Sequence, residues 1–306
     1  MTAPKMLLPK DLRGPRKIFQ IWVTCACDKA CFGCTQGSNL AGKPTFITPE
    51  QFEAACLSME DYPGVVAMFG GNPCIHPQFE ELCDIARRLI PYKRRGIWTN
   101  KLLGKGAVCR RTFNPAMSNF NLHLDREAAE EFKRDWPEAT QLKGLDHDCR
   151  HSPPFVAIKD VIQDEAEMWS RIETCDINQK WSAMIGVFRG NLRGWFCEIA
   201  GAQSMLHQND PNYPDTGSHV FPGWWKQGMY VFEPQIRKHC PECGIPLRGL
   251  GSLATHGDKE QVSVTHLGVY TPKKKGRMVE LVTDVEQLNG TVAHATDYLA
   301  NYKAKQ

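Results

Sequence analysis

The chain has 306 residues, 37 Lys and Arg against 34 Asp and Glu, a formal net charge of +3, and 42% hydrophobic residues. That length suggests about two domains. The composition excludes a disordered or collagen-like chain, and the balanced charge excludes a global field that would draw the protein to nucleic acid. No apolar run long enough to span a bilayer and no secretory signal pattern occurs, so no membrane partner is expected and the cytoplasm is the expected compartment. The 13 cysteines are out of line with the rest. An odd number without an export signal favours metal or thiolate chemistry over a disulfide framework.

In chain order, the β-branched and aromatic run Ile18-Phe19-Gln20-Ile21-Trp22-Val23-Thr24 predicts a buried strand. It feeds a loop holding Cys25, Cys27, Cys31 and Cys34, the last three spaced C-x3-C-x2-C. Thr48-Pro49-Glu50-Gln51 carries the signals of a helix start: an N-cap, a first-turn proline and a capping box. Val65 to Phe69 predicts a second strand, which runs into Gly70-Gly71-Asn72-Pro73. A second amphipathic helix follows, with Phe79, Leu82, Cys83, Ala86 and Leu89 on one face. Residues 96–100 predict a third strand ending in Thr99 and Asn100. Phe120, Leu122 and Leu124 alternate with polar residues up to Asp125, which can cap a helix over 126–135. Strand–helix alternation at this rhythm predicts a parallel α/β sheet or barrel.

A second set, Cys175, Cys197, Cys240 and Cys243, stands later in the chain. Two apolar runs around Arg189-Gly190-Asn191 predict a hairpin between its first two members. Glu198 to His207 then reads as a helix. Three close thiolates suit an iron–sulfur cluster with one iron left open, although a zinc knuckle has similar spacing. Cys240-Pro241-Glu242-Cys243 likewise matches half of a zinc ribbon.

The C-x3-C-x2-C loop after the first strand, with Phe32 just before its third cysteine, resembles the signature of the radical S-adenosylmethionine (SAM) superfamily. The Gly-Gly turn after the second strand and the Thr-Asn pair at the end of the third follow that family's order. Asn72 stands where the family often carries Glu; it keeps a hydrogen-bonding carbonyl and lacks the charge. The resemblance implies a [4Fe–4S] cluster on Cys27, Cys31 and Cys34. It also implies a SAM site at Phe32, Gly70, Gly71, Asn72, Pro73, Thr99 and Asn100. The second set, with its hairpin and helix, resembles a twitch domain, a shortened SPASM domain. In that case Cys175, Cys197, Cys240 and Cys243 would hold one auxiliary [4Fe–4S] cluster. The expected fold is α/β: a partial (β/α)6 radical SAM barrel over residues 1–160, with strands from about 18. A small α+β twitch-like domain would follow over 161–250, then a C-terminal extension, 251–306, of unassigned fold.

What the resemblance implies chemically is an oxidoreductase: SAM is cleaved to a 5′-deoxyadenosyl radical, which takes hydrogen from a polar substrate. A four-cysteine auxiliary cluster has no open iron and suits electron transfer, so a two-electron oxidation is expected. The other reactions open to such an enzyme are a redox-neutral rearrangement, epimerisation or mutase step, and nucleoside or nucleic-acid base modification. With 17 residues ahead of the first strand, no leader-peptide-binding domain is expected, which weighs against bond formation on a peptide. A metal-binding module without SAM chemistry is the non-enzymatic alternative. A flavodoxin or ferredoxin would donate electrons, and the substrate would be a sugar, aminocyclitol, nucleoside or amino acid derivative. Nucleic acid is a less favoured partner, suggested by the basic run Lys273-Lys274-Lys275-Gly276-Arg277. His123, Asp125 and Cys25 are the candidate catalytic side chains. The first two stand at the expected mouth of the fourth strand, and Cys25 lies two residues before a cluster ligand. The aromatic-rich segment 208–235 is expected to shield a cluster.

Overall fold

The computed structural model describes residues 18–41, 43–146, 150–175, 183–227, 229–247, 252–253, 259–268 and 278–289. Its centre is a mixed, mainly parallel eight-stranded sheet in the order β5-β4-β3-β2-β1-β7-β8-β9. β1 (Ile18–Thr24), β2 (Val65–Gly70), β3 (Arg95–Thr99), β4 (Asn119–Asn121) and β5 (Leu142–Lys143) lie side by side and parallel. Four helices run between them: α1 (Pro49–Ser58), α2 (Phe79–Leu89), α3 (Gly106–Thr112) and α4 (Arg126–Asp135). Parallel strands require such crossovers, so each strand returns to the same end of the sheet. On the other side of β1, β7 (Ala183–Phe188) adds a further parallel strand. The sheet therefore runs on past residue 160, and its sixth parallel strand comes from beyond that point.

Local chemistry accounts for most of these elements. Thr48 caps α1: its hydroxyl accepts from the Gln51 N–H, and the Gln51 side chain accepts from the Thr48 N–H in return. Asp125 caps α4 by accepting from the Ala128 N–H at 2.9 Å. β4 is shorter than the alternation of Phe120, Leu122 and Leu124 suggests. His123 and Leu124 take positive φ, +48° and +62°, and a left-handed backbone ends a strand. β7 and β8 (Asn191–Trp195) form the expected antiparallel hairpin, closed by Arg189 and Gly190, both at positive φ. β9 (Ser218–His219) pairs with β8.

The core is continuous across the sheet. α1 and α2 pack Phe52, Cys56, Ala86 and Ile90 against Ile21, Val66 and Met68. Trp224, fully buried, meets Phe19 edge to face at 5.4 Å and lies against Gly194 of β8. α5 (Ile158–Val161) and α6 (Glu165–Glu173) precede the β7–β8 hairpin; α7 (Glu198–Leu206) packs on β7 and β8, and α8 (Glu233–His239) packs on α7. Outside the main sheet, β6 (Arg150–His151) pairs with β10 (Ser252–Leu253). β11 (Lys259–Val262) pairs in parallel with β12 (Met278–Leu281), ahead of α9 (Glu286–Asn289). β10, β11, β12 and α9 are described elements of the C-terminal extension, whereas Lys273 to Arg277 lie outside the described residues.

Candidate active site

The parallel strands β1 to β4 deliver their C-terminal ends to one edge, the usual location of ligand crevices in α/β sheets. Two loops meet there through their backbones. The Gly71 N–H donates to Thr24 O at 2.8 Å, and the Asn72 N–H donates to Ala26 O at 2.7 Å. Gly70 sits at φ +151°, and a Cβ on Gly71 would stand 2.3 Å from Ala26 O. The two glycines thus let the turn after β2 press directly on the cysteine loop.

Asn72 is fully buried and uses both ends of its amide. Its Oδ1 accepts from the Cys74 N–H at 3.0 Å and from the Thr99 hydroxyl at 2.9 Å. Its Nδ2 donates to Asp28 Oδ1 at 3.0 Å and to Lys101 O at 3.1 Å. Asn100 Nδ2 reaches both oxygens of the same Asp28 carboxylate, at 3.0 and 3.1 Å. Pro73 follows as the first residue of a short 3-10 turn. Asn72, Thr99 and Asn100, three of the expected cofactor-site residues, are therefore brought together with the segment beside Cys27. Sequence reasoning missed Asp28 and Lys101, since no local pattern marks a partner 44 or 29 positions away.

Asp125 belongs to the same mouth but is fully engaged. It pairs with Lys29 at 2.9 Å and Lys101 at 3.6 Å. Partial burial pushes its carboxyl up, but the Ala128 N–H, Lys29 and Lys101 together hold it below the usual range. His123 meets the ring of His151 edge to face at 5.4 Å. Cys25 is buried against the 43–45 segment, where its sulfur accepts from the Thr45 N–H at 3.3 Å.

Cys27, Cys31 and Cys34 are each partly exposed on the loop after β1. The Cys27 sulfur accepts from the Lys29 N–H at 3.4 Å. Burial raises the Cys34 thiol, against hydrogen bonds from Ser38 and Gln36. Phe32 is buried, and its carbonyl pairs with His151 Nδ1 at 2.8 Å. Phe32 thus anchors the loop between Cys31 and Cys34.

Cys175, Cys197, Cys240 and Cys243 come together although they span 68 positions of sequence. All four line one small pocket, walled also by Ile172, Phe196, Ile199, Ala200, His239, Ile245 and Pro246. Burial, with Cys175 and Glu198 adding to it, pushes the Cys197 thiol up to about 12. Burial and the neighbouring cysteines raise Cys243 as well. A thiol so raised stays protonated near neutral pH unless a bound cation displaces its proton. A zinc ion would need the sulfurs drawn to about 2.3 Å from one point. Among the described residues no three or more His, Cys, Asp or Glu are gathered as a metal-ion seat, either in this set or in the loop of Cys27, Cys31 and Cys34. Four thiols gathered on one mainly apolar pocket are nonetheless a donor set suited to a thiolate-held group. Phe196 is the only Phe, Tyr or Trp in its lining; Trp224 of the 208–235 segment packs on the sheet instead.

Glu198, next to Cys197, stands between the two cysteine sets. Its buried carboxyl accepts from Gln20 Nε2 of β1 and is hydrogen-bonded to Thr35, the residue after Cys34. Burial carries it up to about 7 against those two bonds.

Comparison with protein-family models gives no match, and comparison with curated proteins gives none either. Among solved structures, the chain is similar to that of BtrN in complex with AdoMet and 2-DOIA. The TM-score is 0.45 and the identity 13%, over 74% of this chain and 92% of that one. No helix among the described residues is long and apolar enough to cross a membrane.

Proposed function

We propose that the protein is a radical SAM oxidoreductase that takes hydrogen from a polar substrate and oxidises it by two electrons. The observation that carries this reading is the joint between the cysteine loop and the Gly-Gly turn. The loop of Cys27, Cys31 and Cys34 leaves β1, and Asn72 N–H fastens to it at Ala26 O. The ends of β2 and β3 then converge on it through Asn72, Thr99 and Asn100. When bound, a [4Fe–4S] cluster on these cysteines and SAM would supply a 5′-deoxyadenosyl radical.

The chain's own part is placement. Gly70, Gly71 and Pro73 shape the turn that fixes the loop, and Phe32 anchors it from the other side. Asn72 and Asn100 hold the Asp28 carboxylate at the mouth. Asp125 keeps Lys29 and Lys101 in position rather than acting as a base, because both ammonium groups already claim it. Cys175, Cys197, Cys240 and Cys243 would hold an auxiliary [4Fe–4S] cluster in an apolar pocket, suited to accepting an electron. Glu198 ties that pocket to the first loop through Thr35. The partial barrel and the twitch-like unit are the architecture this reading implies. A flavodoxin or ferredoxin would be the electron donor, and a sugar, aminocyclitol, nucleoside or amino acid derivative the substrate class.

Anaerobic incubation with SAM, a strong reductant and candidate polar substrates tests the proposal. Formation of 5′-deoxyadenosine together with a product two electrons more oxidised is expected. A product of unchanged oxidation state would replace oxidation by rearrangement. Iron-loaded protein that releases no 5′-deoxyadenosine would overturn the reading.

A further inference from the structure

Glu260 lies on β11, in the C-terminal part of the chain that carries no sequence motif. Its side chain is wholly buried. Both carboxylate oxygens face the Gly33 N–H, at 3.1 and 3.4 Å, and Oε2 also accepts from Asn39 Nδ2. Gly33 is the residue immediately before Cys34, and Asn39 lies in the turn that follows it. β11 is itself held firmly. It pairs along its length with β12, while the Ser263 N–H donates to Phe155 O at 3.1 Å and the Ala157 N–H to the Ser263 hydroxyl at 2.9 Å.

The opposite side of the loop is closed by residues 151–152. A Cβ on Gly33 would stand 2.6 Å from Ser152 O and 2.9 Å from the His151 Cβ, at a φ of +58°. The stretch from Cys31 to Cys34 is thus gripped between two walls, neither of which comes from β1 to β4.

We infer that Glu260 is a positioning residue of the first cysteine site, fixing the backbone before Cys34 and biasing the group held there toward its oxidised state. The inference rests on the proposed function for the nature of that group. A buried carboxylate near a thiolate-held cluster disfavours an added electron by simple Coulomb repulsion. Glu260→Gln keeps the shape and an accepting oxygen but removes the charge, whereas Glu260→Ala removes the grip as well.

The test uses the full chain, reconstituted anaerobically with iron and sulfide. It follows iron content and the midpoint potential of the paramagnetic signal that changes when SAM is added. Glu260→Gln is expected to load iron like the wild type and to shift that potential to more positive values. Glu260→Ala is expected to lose at least half of the iron of the first site. Glu280→Gln, on the exposed face of the adjoining β12, is expected to change neither. A Glu260→Gln potential equal to wild type, or a Glu260→Ala protein with full iron, would overturn the inference alone. A wild-type chain that takes up no iron would overturn both the inference and the proposed function beneath it.

Discussion

The side-chain amide of Asn72 donates to the carboxylate of Asp28 at 3.0 Å, and this bond explains why an asparagine stands at that position. The same Nδ2 also serves Lys101 O, and Oδ1 serves Cys74 and Thr99. A carboxylate there would lose two donated bonds and face Asp28 with like charge. The Asp28 carboxylate sits on the cysteine loop, and the ends of β2 and β3 supply the amide donors that hold it, through Asn72 and Asn100.

Asn72→Asp is therefore expected to lower the unfolding free energy by about 1–3 kcal/mol, the usual cost of leaving buried partners unsatisfied. Adding Asp28→Asn should recover part of that loss, because it removes the like-charge contact. Urea unfolding of the two single variants and the double variant measures the coupling. Strictly additive losses would contradict it.

Gly71→Ala should displace the cysteine loop. Its new methyl would start 2.3 Å from Ala26 O, a backbone atom that moves only with the loop. The expected cost is about 1–3 kcal/mol, accompanied by reduced iron uptake. Gly268→Ala, where no atom lies within 4 Å of the added carbon, should leave both unchanged.

His207 should make stability depend on mildly acidic pH. It stacks on Tyr213 at 4.3 Å, and burial followed by His266 lowers it to about 4. A histidine kept neutral in the fold contributes fully above its unfolded value near 6.5. That contribution is lost as pH falls through the folded value, because the unfolded chain binds the proton first. The loss is on the order of 3 kcal/mol. His207→Gln should flatten the stability profile between pH 6.5 and about 4; an unchanged slope would assign it elsewhere.

Trp224 should behave as a core residue. It is fully buried against Phe19 and Gly194. Trp224→Ala is expected to cost about 3–5 kcal/mol in chemical denaturation. Iron bound per folded chain should stay unchanged, since Trp224 does not line the cysteine cavity.

What the sequence revealed and what it hid divide along the range of the interactions. The Thr48 capping box, the Asp125 cap and the hairpin turn at Arg189-Gly190 are decided within a few residues, so they could be read directly. The cysteine sets were legible as chemistry because thiol spacing is a local signal, and the cavity shared by Cys175, Cys197, Cys240 and Cys243 agrees with their grouping. The distant partners of the cysteine loop and of β1 were not legible. Glu260 reaches Gly33 across 227 positions, and Glu198 reaches Gln20 across 178. Nothing in a single chain's local pattern encodes such pairings. Asp125 was legible as a carboxylate at a strand mouth, but its partners Lys29 and Lys101 were not. Cys149 and the basic run from Lys273 lie outside the described residues.

The central claim, two separate thiolate-held clusters, is tested most directly by anaerobic iron and sulfide analysis. The wild-type chain should hold about eight irons, and the variant with Cys27, Cys31 and Cys34 all changed to alanine about four. Loss of all iron in that variant, or zinc in place of the residual iron, would contradict the auxiliary cluster; a wild type without iron would contradict the whole assignment.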